Sequence, residues 1–254
     1  MDRQGLVFLA RLSEQAERYD EMVERVTELA SSAKEDLSED LSVEERNLFS
    51  VAFKNATGAR RASWRILSAL PRHRSKRFAD FPELTTSLRA SVEDELTTMC
   101  TSIMKIIDEK LLPLASASPE SEVFYLKMKG DYGRYMAEYV ADAATRKRIV
   151  AEALRDYERA QEIALTEIAP TNYLRLGLAL NFSVFHYDIV GDTPAACAMA
   201  KQAFDDAIAE LDALENDDSY RDSTLVMQLL RQNITLWTST DDDELDDVAI
   251  TDED

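Results

Sequence analysis

Turn-forming residues are scarce in this chain: 254 residues hold six glycines and six prolines, where average usage, about 12% for the two combined, would supply more than twice as many. So few tight turns exclude a sheet sandwich, a collagen-like repeat and a glycine-rich nucleotide loop. What remains is a helical period broken by short punctuation. Ser42-Val43-Glu44-Glu45 has the form of a capping box, in which serine and glutamate each satisfy the other's main-chain N–H. The helix it opens is expected to run through Leu48, Val51, Ala52 and Ile66 to about Leu70, where Pro71 stops it. Phe81-Pro82 and Ser118-Pro119-Glu120 open two more segments, because proline at a first helical position loses no hydrogen bond. Further breaks are expected at Pro170-Thr171-Asn172, Gly191-Asp192-Thr193-Pro194 and Glu215–Ser219. The segments add up to an all-α chain of eight or nine helices, joined by short connections that favour antiparallel neighbours.

The net charge is −20, so no global field exists to hold nucleic acid or an anionic membrane, and neither is expected as a partner. Nine acidic and no basic residues fall between Asp241 and Asp254, which reads as a disordered acidic tail after one helical domain over 1–240. Subtracting those nine charges leaves −11 on the domain. Cys100 and Cys197 form neither a disulfide framework nor a metal pattern, and no cofactor is expected. Met1–Phe8 lacks the apolar core of a signal peptide, and nowhere do eighteen apolar residues run together, so the reading is of a cytoplasmic protein.

Within that acidic background two basic rows stand out. Lys54 and Arg61, seven apart, fall within roughly 20° of each other around a helix. Lys127 and Arg134, again seven apart, form a second row beside Tyr135. Guanidinium pairs, an ammonium and a phenol suit a phosphate oxyanion. On periodicity alone they equally suit a solvated face paired to acids at i±4. Asn181 and Asn233 lie in apolar runs, where an amide either finds internal partners or faces a cleft that receives an extended peptide. Val184, Asp188, Val226, Leu229 and Leu236 share their helices.

Three N-terminal blocks, Glu14–Met22, Glu44–Asn55 and Gly58–Arg65, together with Phe124–Tyr132, Arg175–Phe185 and Asp222–Trp237, resemble 14-3-3 proteins in order and over nearly the whole folded chain. The resemblance implies a nine-helix antiparallel protomer with a concave groove for phosphoserine or phosphothreonine segments of client proteins. It implies Lys54, Arg61, Arg134 and Tyr135 as phosphate ligands and Asn181 and Asn233 as main-chain ligands. Lys127, Leu180, Val184, Asp188, Leu225, Val226, Leu229 and Trp237 would line the channel. A homo- or heterodimer is implied through Arg18, Glu21, Ser63, Leu88, Ser91 and Glu95, with Arg18 and Glu95 paired across subunits. Protein kinases enter as clients or modifiers, since Arg60-Arg61-Ala62-Ser63 reads as a basophilic kinase site, and nuclear as well as cytoplasmic residence fits such clients.

Some positions depart from the family pattern. Leu88 and Ser91 stand where a tyrosine and a lysine are common, Gly5 where an acid is usual, Gly133 where a bulky residue flanks Arg134, and Asp188 where a glutamate is usual. The segment Pro71–Pro82 is unusually basic, and the connection between Ala30 and Ser42 is longer than in many relatives. Catalysis is not expected: His73 and His186 are the only imidazoles and neither lies in a nucleophile or metal pattern. The other reading is a helical scaffold for unphosphorylated peptides.

Overall fold

A computed structural model describes residues 1–35, 40–70, 81–115, 118–211 and 218–248. All regular structure among these residues is helical. The chain divides into two compact units, one of Met1–Ala117 with Tyr139–Ala141, the other of Ser118–Glu138 with Asp142–Asp254.

The first unit contains α1 (Arg3–Gln15), α2 (Tyr19–Glu35), α3 (Val43–Ala69) and α4 (Pro82–Ile106). The capping box forms as expected, with Ser42 Oγ accepting from Glu45 N–H and the Glu45 carboxylate accepting from Ser42 N–H. A second device fixes that corner: Arg3 reaches Glu45 at 2.6 and 2.7 Å, and its guanidinium, with the Ser42 bonds, holds the Glu45 carboxyl below its ordinary range against burial. Pro82 occupies the first turn of α4. Buried Val92, Leu96, Cys100, Ile103 and Ile106 recur at steps of three and four along α4, as do Leu48, Phe49, Ala52, Phe53 and Ala56 on α3, so these two faces close on each other. Truncating a fully buried member such as Leu96 costs about 2–5 kcal/mol. Past Ile106 the helix widens into a π-helical turn, Ile107–Leu111, before a last α turn, Leu112–Ala115. The sequence carries no sign of this widening.

The second unit contains α5 (Pro119–Tyr139, its last residue grouped with the first unit), α6 (Ala143–Glu167), α7 (Tyr173–Phe185), α8 (Thr193–Glu210) and α9 (Asp218–Val248). Apolar residues surround α7, with Leu174, Leu176, Leu178, Ala179, Phe182 and Phe185 all buried, because α6, α8 and α9 pack on it from several sides. It too ends in a π turn, His186–Val190, closed by Gly191 at φ +77°, a left-handed cap that glycine takes without steric cost. Gly130 marks a close approach: a Cβ there would lie 2.7 Å from the Tyr157 ring. Gly133 does likewise, 2.8 Å from Ala153 Cβ. The bulk missing beside Arg134 is thus space that α6 occupies.

The helix ends read from the sequence agree with the structure at Ser42, Pro82, Pro119, Asn172 and Gly191. The last helix, α9, runs to Val248. The basic 71–80 stretch, residues 36–39 of the lengthened connection before Ser42, residues 215–217 of the break read before Ser219, and 249–254 lie outside the described residues.

Candidate functional site

The second unit concentrates its buried charge around one residue. Asp131, on α5, is 6% exposed and accepts from Tyr157 Oη at 2.6 Å, from Asn181 Nδ2 at 2.8 and 2.9 Å and from Lys127 Nζ at 2.8 Å. Three elements therefore meet at one carboxylate: α5 through Lys127, α6 through Tyr157 and α7 through Asn181. Burial opposes the Asp131 charge, but the cations of Lys127 and Arg134 and the hydrogen bonds from Lys127 and Tyr157 outweigh it and hold the carboxyl below its ordinary range. Burial and the neighbouring Asp131 push the Tyr157 phenol well up, so it stays a donor.

Arg134 lies one turn along α5 and is held differently. Its guanidinium is buried, yet the carboxylate oxygens nearest it are at 3.8 Å on Asp131 and 3.9 Å on Glu138, beyond hydrogen-bond length. Its Nε has no hydrogen-bond partner. The cation sits 4.7 Å from the centre of the Tyr135 ring, a cation–π distance. Burial works against its charge, while Tyr157, Asp131 and Tyr135 reverse that and raise its pKa. Asp131 is thus spent on Lys127, Tyr157 and Asn181, and the guanidinium edge keeps donor capacity.

On α3 of the first unit, Lys54 is exposed and makes no ion pair among the described residues, and Arg61 is half-buried on the same face. Adjacent Arg60 has a structural role: it binds Asp20 and Glu95, each at 2.9 Å, and the Ala56 carbonyl at 3.1 Å. Within this chain Glu95 is therefore engaged by Arg60, and Arg18 by Glu21. Ser63 is exposed, with Oγ donating to the Ala59 carbonyl, and Leu88 and Ser91 are exposed on α4.

The remaining residues singled out from the sequence fall on α7 to α9. Leu180 and Val184 are half-buried, and with Val226 they pack against a core of Leu176, Met227, Leu230 and Trp237. Leu225 and Leu229 are 59% and 41% exposed. Asp188 is exposed in the π turn and Asn233 is half-buried on α9. Trp237 is a core residue, 3% exposed and stacked at 4.9 Å on Tyr187. Asn181 is half-buried and internally bonded at its amide nitrogen. Its carbonyl oxygen is the end left for another partner.

Sequence reasoning missed Asp131 as the organiser of this group. The available signal was local, since it stands four residues after Lys127 and three before Arg134 on one helix. Tyr157 and Asn181, 26 and 50 residues away, carry no such signal. Among the described residues, no three His, Cys, Asp or Glu side chains are placed to hold a metal ion, Cys100 and Cys197 are not joined in a disulfide, and no helix is long and apolar enough to cross a membrane.

The profile of the 14-3-3 protein family matches residues 9–238. A 14-3-3-like protein of Chlamydomonas reinhardtii is 53% identical over 94% of this chain and 90% of its own length. The 14-3-3-like protein C of Nicotiana tabacum is 53% identical over 97% of this chain and 93% of its own. The 14-3-3-like protein GF14 psi of Arabidopsis thaliana is 53% identical over 96% and 94%.

Proposed function

The chain belongs to the 14-3-3 family, and from that premise we propose that it is a non-enzymatic adaptor that binds phosphoserine and phosphothreonine segments of client proteins. Lys54, Arg61, Arg134 and Tyr135 take the phosphoryl group. Asn181 and Asn233 bond the peptide main chain, while Lys127, Leu180, Val184, Asp188, Leu225, Val226 and Leu229 contact the flanking side chains, with Trp237 supporting them from the core. The observation that carries this reading is the state of Arg134: a buried cation whose carboxylate neighbours stand too far for a hydrogen bond and whose Nε is unpartnered. A dianionic oxyanion supplies charge-assisted bonds that these distant carboxylates do not.

The working form is a dimer, homo- or heteromeric. Support comes from two short apolar rows of the first unit at helical spacing, Phe8 and Leu12 on α1, 65% and 50% exposed, and Leu84 and Leu88 on α4, 66% and 56% exposed. Large side chains in such rows belong in an interface. Arg18, Glu21, Ser63, Ser91 and Glu95 border it, and kinases act on the protein through Ser63 as well as being clients. The functional domain spans 1–240, the acidic tail 241–254, and the protein works in the cytoplasm and nucleus.

The test titrates one peptide, with and without its phosphate, against the parent and the Arg61→Ala, Arg134→Ala double variant. The parent is expected to bind the phosphorylated form about 100-fold more tightly, a difference of two charge-assisted hydrogen bonds, and the variant to lose that preference. Equal affinities for both forms make the protein a scaffold for unphosphorylated peptides instead. Sedimentation gives the oligomeric state, and Ser63→Glu is expected to shift it towards monomer.

A further inference from the structure

Around α7, residues advance by about 100° each. That sets Leu180, Asn181 and Val184 on one side and Arg175, Leu178 and Ala179 on the other. On this second side, between α6 and α8, lies a cleft of about 260 Å3. Its floor is Leu178 and Ala179, and its sides are Ala164 and Leu165 from α6 and Met199 and Ala203 from α8. The hollow exists because alanines occupy three of these six positions. Leu165, at its lip, is 55% exposed.

The rim decides what the cleft can take. Arg175 donates to the Ile168 carbonyl at 2.7 Å and lies 3.7 Å from Asp206, and Asp206 accepts from Gln202 at 2.6 Å. The two rim charges stand at ion-pair range of each other and each already holds one hydrogen bond inside the protein, so they offset one another and a lone ion would enter an apolar cleft uncompensated, which is costly. Gln161 is different: its carboxamide lines the cleft and makes no hydrogen bond among the described residues. It offers one donor and one acceptor to an uncharged guest. The volume lies just under the range of about 300–1,000 Å3 of drug-sized sites, with the same apolar lining and few convergent polar groups.

We propose that this cleft between α6 and α8 is a second binding site, for a neutral ring-sized molecule that carries one hydrogen-bonding group. Phenols, indoles and aryl amides are the matching class. The site is independent of the phosphopeptide reading, since it lies on the opposite face of α7.

Indole is the probe, compared by calorimetric titration with tryptamine and indole carboxylate, which add a cation or an anion to the same ring, and located by a crystal structure of the full chain soaked in indole. Indole is expected in the cleft, with the two charged analogues at least about tenfold weaker. Ala203→Met, which fills the hollow, and Leu165→Glu, which charges its exposed lip, are each expected to weaken indole binding by about tenfold or more while circular dichroism stays that of the parent. The proposal is overturned by no indole binding to the parent, by indole found elsewhere, by charged analogues that bind equally well, or by folded variants that bind indole as the parent does.

Discussion

On α3, Lys54 stands in solvent with no ion pair among the described residues. On α5, Lys127 and Arg134 flank a carboxylate that is itself buried. The first cation is hydrated and costs the fold little. The second pair is tolerated only because Asp131, Tyr157, Asn181 and Tyr135 surround it, so binding capacity and stability are coupled there. Lys54 and Arg134, proposed for the same task, are thus built in two ways: one is removable without structural consequence and one is not.

The sharpest way to break this contrast is Asp131→Ala, which strands the buried Arg134 charge, the half-buried Lys127 charge and two donors. Denaturant unfolding is expected to show a loss of about 3–5 kcal/mol, against less than about 0.5 kcal/mol for Lys54→Ala. A loss below about 1 kcal/mol for Asp131→Ala would mean that the cluster is not structurally coupled. Next in size, Arg134→Ala is expected to weaken phosphopeptide binding by about 2–4 kcal/mol and also to lower the unfolding midpoint, whereas Lys54→Ala weakens binding by about 1–2 kcal/mol and leaves the midpoint in place. Equal midpoints for the two variants would erase the distinction. Gly130→Ala presses a methyl into the Tyr157 ring and is expected to destabilise by about 1–3 kcal/mol, with phosphopeptide affinity falling alongside as Tyr157 moves off Asp131.

The smallest effect is in the pH profile of stability. Burial lowers the His186 pKa from its ordinary 6.5, so the folded state prefers the neutral ring, and stability begins to fall as pH drops through about 6.5 and levels off below the folded value. Asp131 is held below its ordinary 3.8. Its contribution is intact above that value and is lost as pH falls through the lower, folded pKa. Thermal melts across this range should show two separate declines. His186→Phe should remove only the upper one.

What could be read from the residues alone was what local chemistry decides. The Ser42–Glu45 box, Pro82 and Pro119 in first turns, and Gly191 at a left-handed cap each act within four residues, and the structure has them all. The basic rows were equally legible as rows, because a seven-residue spacing fixes a helical face. What those faces meet was not. Asp131 is defined by partners on α6 and α7, and Arg60 is held in place by Asp20 and Glu95, which come from α2 and α4. Glu95 therefore has a partner within the chain, which the expected pairing with Arg18 did not include. The two π turns leave no local trace.

The widened turn at Ile107–Leu111 bears on how this long rod tolerates changes in length. An ordinary α-helix that loses one residue rotates everything downstream by about 100° and turns its buried side outward. A π turn already holds a surplus residue, so deleting Asp108, Glu109 or Lys110 would let the segment relax to regular α geometry while Leu111 and Ala115 stay seated in the core. Near its C-terminal end, this rod contains a place where its own numbering can slip by one without unravelling.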